Sequence, residues 1–244
     1  TTVVVSMYSE KLDNEQLTNS KTISNIDKTA PTAPTNVTVT NGDNKVTALA
    51  IGSTDIGSGI LKYQYSKDNS SWQDSGEFTG IKSGTEVTIY ARAVDKVGNI
   101  SETTSSKGTT NTVSGNVTIT PSTTSWTKGN VTVTLAYNGT IPTGYVLQYR
   151  LGTGAWTDYK GSLPITTNNT KITGRLYNSA VDDEVAVNSK TIINIDKTAP
   201  TVPTSLSITK SGTNGLTATA SGSTDVGSGL SKYQYSRNNS TWQT

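Results

Sequence analysis

Five aspartates occupy positions where a cation that binds oxygen would be held. Asp27, Asp55 and Asp95 are far apart in sequence, and Asp196 and Asp225 repeat the first two. In a seven-strand antiparallel sandwich, the incoming linker, the loop between the second and third strands and the loop before the last strand meet at one pole. Carboxylates gathered there repel one another. Calcium accepts several oxygen ligands, backbone carbonyls among them, and would relieve that repulsion. Gly57-Ser58-Gly59 would let the backbone fold round the ion. Against this, aspartate is an ordinary turn residue, and three carboxylates supply fewer than the roughly 6–8 oxygens that calcium takes.

The tryptophans offer a second chemistry, because aromatic rings stack on sugar faces. Trp72, Trp156 and Trp242 each follow the same kind of strand. Position-specific repetition is what packing produces, so these rings are expected to cover sheet edges rather than bind ligand. Trp126, in an early turn of its own module, reads the same way. Catalysis is not expected. The chain has 0 His and 0 Cys, which removes Ser-His-Asp and Cys-His nucleophiles, His-ligated or thiolate metals and redox pairs. No two acidic residues sit in a cleft-like context that would suit a glycosidase pair.

The elements that would position these residues come from a polar, lightly charged chain. It has 244 residues, 32% hydrophobic and 16% charged, with a net charge of +2. Disordered chains usually combine low hydrophobicity with high charge, whereas this one is crowded with Thr, Val, Ile and Tyr, which favour strands. No basic run suits nucleic acid, and no apolar run approaches the roughly 20 residues of a membrane-spanning helix. The sequence starts Thr1-Thr2, without a signal-peptide core, and is expected to be a mature product or a piece of a longer protein.

Self-comparison supplies the organisation. Asn25-Ile26-Asp27-Lys28-Thr29-Ala30-Pro31-Thr32 recurs at Asn194–Thr201, and Lys62-Tyr63-Gln64-Tyr65-Ser66 recurs at Lys232–Ser236. A weaker repeat relates Gln64-Tyr65 and Trp72 to Gln148-Tyr149 and Trp156. Two module types follow. Residues 1–29 match the second half of type B, 30–112 are type A, 113–199 are type B, and 200–244 match the first half of type A. Either the chain is a slice of a longer array, or its half-modules complete each other between neighbouring copies.

Within type A, strands are expected at Asn36–Thr40, Lys45–Ser53, Ile60–Ser66, Val87–Val94 and Ser101–Thr110, with a turn at Asn41-Gly42-Asp43. Alternation places Val46, Ala48 and Ala50 on one face, and Val87, Ile89, Ala91 and Ala93 on another. In the third strand it turns Leu61, Tyr63 and Tyr65 inward, and Lys62, Gln64 and Ser66 outward. The fold expected is all-β: tandem antiparallel sandwiches.

The linker Ile26–Thr32, the strand Tyr63–Ser66 with Trp72, and Ala91-Arg92-Ala93-Val94-Asp95-Lys96-Val97-Gly98-Asn99 resemble bacterial Ig-like repeats, which are similar in architecture to fibronectin type III domains. Trp126–Val131 through Trp156 resembles a companion module. The resemblance implies a secreted or wall-attached bacterial stalk, filament or adhesin. Its partners would be neighbouring modules or copies and a surface glycan or protein, with no membrane insertion in this segment. A glycan-binding accessory region of a secreted carbohydrate-active enzyme is the alternative. Type B departs from the pattern: it has Asn178-Ser179-Ala180-Val181-Asp182 where type A has Asp95–Asn99.

Overall fold

A computed structural model describes residues 2–7 and 17–244, which fall into two compact units, Thr1–Thr112 and Val113–Thr244. The expected half-module 1–29 is therefore described only in part. Among the described residues the chain is all-β, and no helix is long and apolar enough to cross a membrane.

The first unit opens with an antiparallel hairpin, β1 (Thr2–Met7) and β2 (Leu17–Thr22), in register Val4↔Ser20. A sandwich follows. One sheet joins β3 (Asn36–Gly42), β4 (Lys45–Ile51) and β6 (Glu77–Thr79), in the order β3-β4-β6. The facing sheet joins β5 (Ile60–Ser66), β7 (Glu86–Asp95) and β8 (Thr104–Thr109), in the order β5-β7-β8. Strict alternation in β4 buries Val46, Ala48 and Ala50 and leaves Lys45, Thr47, Leu49 and Ile51 outside. Ile89 and Ala91 from β7, with Val37, Tyr65, Phe78 and Ile81, complete the core.

Three details differ from the alternation pattern. The register slips between Ile60 and Lys62, so Leu61 turns outward and is 59% exposed instead of facing the core. Ser66 is buried rather than outward, because its hydroxyl donates to Asp68 Oδ1 at 2.8 Å. The first hairpin turns at Asp43-Asn44, since β3 runs through Gly42 and Asn44 carries the positive φ of 54° that the turn requires.

The second unit repeats the architecture. One sheet holds β9 (Val117–Pro121), β10 (Val131–Tyr137) and β13 (Leu163–Ile165). The other holds β11 (Val146–Leu151), β12 (Thr157–Asp158), β14 (Thr170–Asn178) and β15 (Asp183–Ile192). Val117, Val131, Val133, Ile172 and Ile192 fill its core. Residues beyond the linker form only a two-stranded sheet, β16 (Ser205–Ser211) with β17 (Gly215–Ser221).

The linker is pinned on both sides. Asn194 is buried, and its side-chain amide donates to the carbonyls of Thr123 (3.2 Å) and Ser125 (2.8 Å). Ile195 is 3% exposed and forms a parallel bridge with Thr127. These residues tie the linker back to type B. Asp196 ties it forward, accepting from the Ser228 backbone N–H and hydroxyl.

Candidate metal centre

Asp27 lies in the linker, Asp55 in the loop between β4 and β5, and Asp95 at the end of β7. The sandwich closes that pole, and one carboxylate oxygen from each aspartate lies within 4.8 Å of the others. Asp95 is fully buried, and the other two are half-buried.

Each carboxylate also organises its own loop. Asp27 Oδ1 accepts from Thr29 N (3.0 Å) and Oδ2 from Ser58 N (2.7 Å). These two N–H groups hold the Asp27 carboxyl below its ordinary value, against burial and the repulsion of Asp95. Burial pushes Asp95 up. Donation from the Asn99 side chain and from the N–H groups of Asn99 and Val97 outweighs it, and the net shift is downward. Asp55 Oδ2 accepts from Gly59 N at 2.6 Å. A methyl group at Gly57 would lie 2.3 Å from the Asp27 carboxyl carbon, so only glycine lets the loop approach the linker this closely.

The residues present fit a hard divalent cation on one specific ground. Asp55 Oδ1 is buried and has no hydrogen-bond partner in the chain, and a buried carboxylate oxygen without a donor is costly. A calcium ion would supply the missing positive charge. The backbone oxygens of Asp27 and Thr29 converge on the same corner, where both receive Asn99 Nδ2, at 3.4 and 3.2 Å. Asn99 was not among the expected site residues. Its signal was its position four after Asp95, across the Gly98 turn.

Asp196 and Asp225 repeat the first two of these aspartates, in the second linker and in the loop after β17. Asp196 accepts from Ser228 N (2.7 Å) and from Thr198 N (3.0 Å), which hold it below its ordinary value. Asp225 Oδ1 accepts from Gly227 N (2.9 Å) and Gly229 N (3.0 Å). Residues 200–244 contain no counterpart of Asp95. Type B dispenses with the carboxylate group: at the corresponding turn the Tyr145 hydroxyl donates to buried Asp183 at 2.5 Å, and Asn178 Oδ1 caps Ala180 N at 3.0 Å.

The tryptophans divide into two kinds. In the complete modules the ring that follows the Gln-Tyr strand lies against a guanidinium. Arg92 stands 4.1 Å from the Trp72 centroid and is fixed by Gln64 Oε1, which accepts from Nε and Nη2. Arg175 stands 3.8 Å from Trp156 and is fixed likewise by Gln148 and by an ion pair with Glu184. The sequence assigns neither arginine a role over a ring, although both sit at matching places beside the repeated Gln-Tyr strands. Trp126 and Trp242 are open, at 48% and 52% exposure.

No protein-family model and no curated protein matches this sequence. Among solved structures, a chitinase from Bacillus thuringiensis matches at 20% identity with a TM-score of 0.32, over 69% of this chain and 30% of that one. The fibronectin(III)-like modules of CbhA from Clostridium thermocellum match at 12% identity with a TM-score of 0.24, over 66% of this chain and 95% of theirs. The chain thus spans under a third of the chitinase it matches, and its antiparallel sandwich architecture stands on its own strand pairing.

Proposed function

We propose that this chain is a structural segment of a secreted or surface-attached bacterial protein, a stalk, filament or adhesin, whose modules meet at stiffened joints. The observation that supports this reading is the clamp on the Asn-Ile-Asp linker. Its first two residues are bonded or packed into the preceding module, and its third is bonded into the next loop. A joint held from both sides resists bending more than a flexible tether would, and stability along such an array sums over modules and junctions.

At the type A joint, Asp27, Asp55 and Asp95 would hold calcium, which would lock the linker to the module. Calcium at about ten times its Kd is expected to raise the melting temperature of type A by roughly 5–10 °C. Asp55→Asn should remove that response. A melting temperature indifferent to both calcium and chelator overturns the ion and leaves the hydrogen-bonded joint standing.

A second reading, a glycan-binding accessory region, draws on the exposed rings of Trp126 and Trp242. Pull-down on insoluble chitin or cellulose separates the two. Retention abolished by Trp126→Ala or Trp242→Ala in folded protein would favour the accessory role, and no retention favours the structural one.

A further inference from the structure

Asn99 reaches from the turn after β7 into the middle of the aspartate pole. Its Nδ2 lies 2.7 Å from Asp95 Oδ2, 3.2 Å from the Thr29 carbonyl oxygen and 3.4 Å from that of Asp27. One amide NH2 carries two hydrogens, so it cannot satisfy three acceptors fully at once. The turn itself does not need this side chain. Asp95 Oδ1 accepts from Val97 N (2.9 Å) and Asn99 N (2.8 Å), and Asp95 N donates to the Asn99 carbonyl at 3.1 Å. The Asn99 amide therefore serves the linker, not its own loop.

The surroundings call for more positive charge than an amide supplies. Asp55 Oδ1 is buried without a partner, and so are the hydroxyl oxygens of Ser53 and Ser58 in the same loop. Ser58 N donates to Asp27 Oδ2, yet its hydroxyl is unengaged, whereas the hydroxyl of its counterpart Ser228 donates to Asp196 Oδ2 at 2.9 Å. Among the described residues no Lys or Arg side chain forms an ion pair with Asp27, Asp55 or Asp95. Calcium is bound by oxygens alone. The three oxygens that receive Asn99 Nδ2 are the ones a calcium ion would share with Asp55 Oδ1.

We propose that Asn99 is a latch: its amide holds the calcium position while the ion is absent and has to swing out for the ion to enter. The latch rests on calcium binding at this pole, as proposed for the joint, and adds the residue that sets its affinity. An N–H and a cation compete for the same oxygen lone pairs, and the two positive groups repel each other. The linker is thus fastened in both states, by the amide without calcium and by the ion with it. Breaking the latch subtracts from the binding of the ion. Type B supplies the contrast. Asn194 Nδ2 clamps its linker to the Thr123 and Ser125 carbonyls. Among the described residues only Asp27, Asp55 and Asp95 gather as a carboxylate group, so the Asn194 clamp has no ionic competitor.

Calcium titration of the full chain, carrying isotope-labelled asparagine, reads the latch directly. In the wild type, added calcium should release the Asn99 side-chain NH2, so that its exchange with water accelerates at least about tenfold. Asn99→Ala should bind calcium about tenfold more tightly, since no hydrogen bond to a carboxylate has to be broken first. The same variant should melt several degrees lower in chelator. A side chain that merely supports the fold does not produce these opposite signs. The latch is overturned if Asn99→Ala binds calcium more weakly, which would make Asn99 a ligand through Oδ1, or with unchanged affinity. It is also overturned if the wild-type NH2 stays protected with calcium bound. In each of those cases calcium still binds and the calcium joint stands. Absence of calcium binding in both proteins overturns the latch and the calcium joint together. Binding seen in Asn99→Ala alone supports the latch, because the amide then outcompetes the ion in the wild type.

Discussion

Residues 31–74 and 200–244 present closely related sequences to two different surroundings. Their short-range bonds are the same. Tyr65 OH accepts from Ala50 N at 3.1 Å, and Tyr235 OH from Ala220 N at 3.1 Å. Thr32 Oγ1 caps Thr54 N at 2.8 Å, and Thr201 Oγ1 caps Thr224 N at 2.7 Å. The hairpins share a register, with Val37↔Ala50 matched by Leu206↔Ala220. Burial is not shared. Pro31 and Pro34 are buried while Pro200 and Pro203 are exposed, and every apolar residue of β16 lies open. Loop and hairpin geometry is therefore set locally, and a core exists only where a second sheet lies opposite.

The largest effect should come from breaking the side that has a core. Ile89→Ala is expected to cost type A about 3 kcal/mol, through lost transfer energy and the cavity left behind. Leu216→Ala, on the open copy, should cost less than about 0.5 kcal/mol. Denaturant unfolding followed at labelled Trp72 and Trp242 checks both, and equal costs would mean that the open face is covered in solution.

Next in size is the close approach at the joint. Gly57→Ala pushes the Asp27 carboxylate off Ser58 N, so exchange at the Ser58 amide should accelerate several-fold. Gly227→Ala should do the same at Ser228, because a methyl there would lie 2.3 Å from Asp196 Oδ2. An effect at one joint and none at the other would show that the two linkers are not equivalent.

The smallest effect separates the copies by charge. Asp68 accepts from Ser71 N (2.7 Å), Ser70 N (2.8 Å) and the Ser66 hydroxyl, and these bonds hold its carboxyl far below the usual range. Its counterpart is Asn238, which makes the same turn with Ser240 N and Thr241 N. A carboxyl with a depressed folded pKa stabilises above its unfolded value, near 4, and loses that contribution as pH falls through the folded value. Asp68→Asn should therefore keep the turn and flatten the low-pH decline of type A stability, read as melting temperature against pH. Unchanged acid sensitivity would assign the decline to Asp27 and Asp95, which are also held low.

The same local-versus-global division explains how much could be read in advance. Period-two alternation identified β4 and β7 and their buried faces, because a strand's two faces are written in its own residues. It misplaced Leu61 and Ser66, since a register slip against β7 and a hydrogen bond to Asp68 are decided by partners outside the strand. The aspartates were visible as repeated turn residues. Asn99 and the two arginines over the tryptophans were not, because each acquires its role from a neighbour some 27–72 residues away in sequence.

By itself, the sequence determined the repeat, its two module types, the hairpins and the side-chain caps of the loops. These depend on residues close along the chain, where alternation, turn chemistry and short hydrogen bonds act without help. Only the tertiary structure decided that Asp27, Asp55 and Asp95 share one pole, that the linker is held from both sides, and that Val46 is sealed while Leu216 is not. Those outcomes depend on what lies across the sheet, and the energy of burying apolar surface belongs to the pair of faces rather than to either alone.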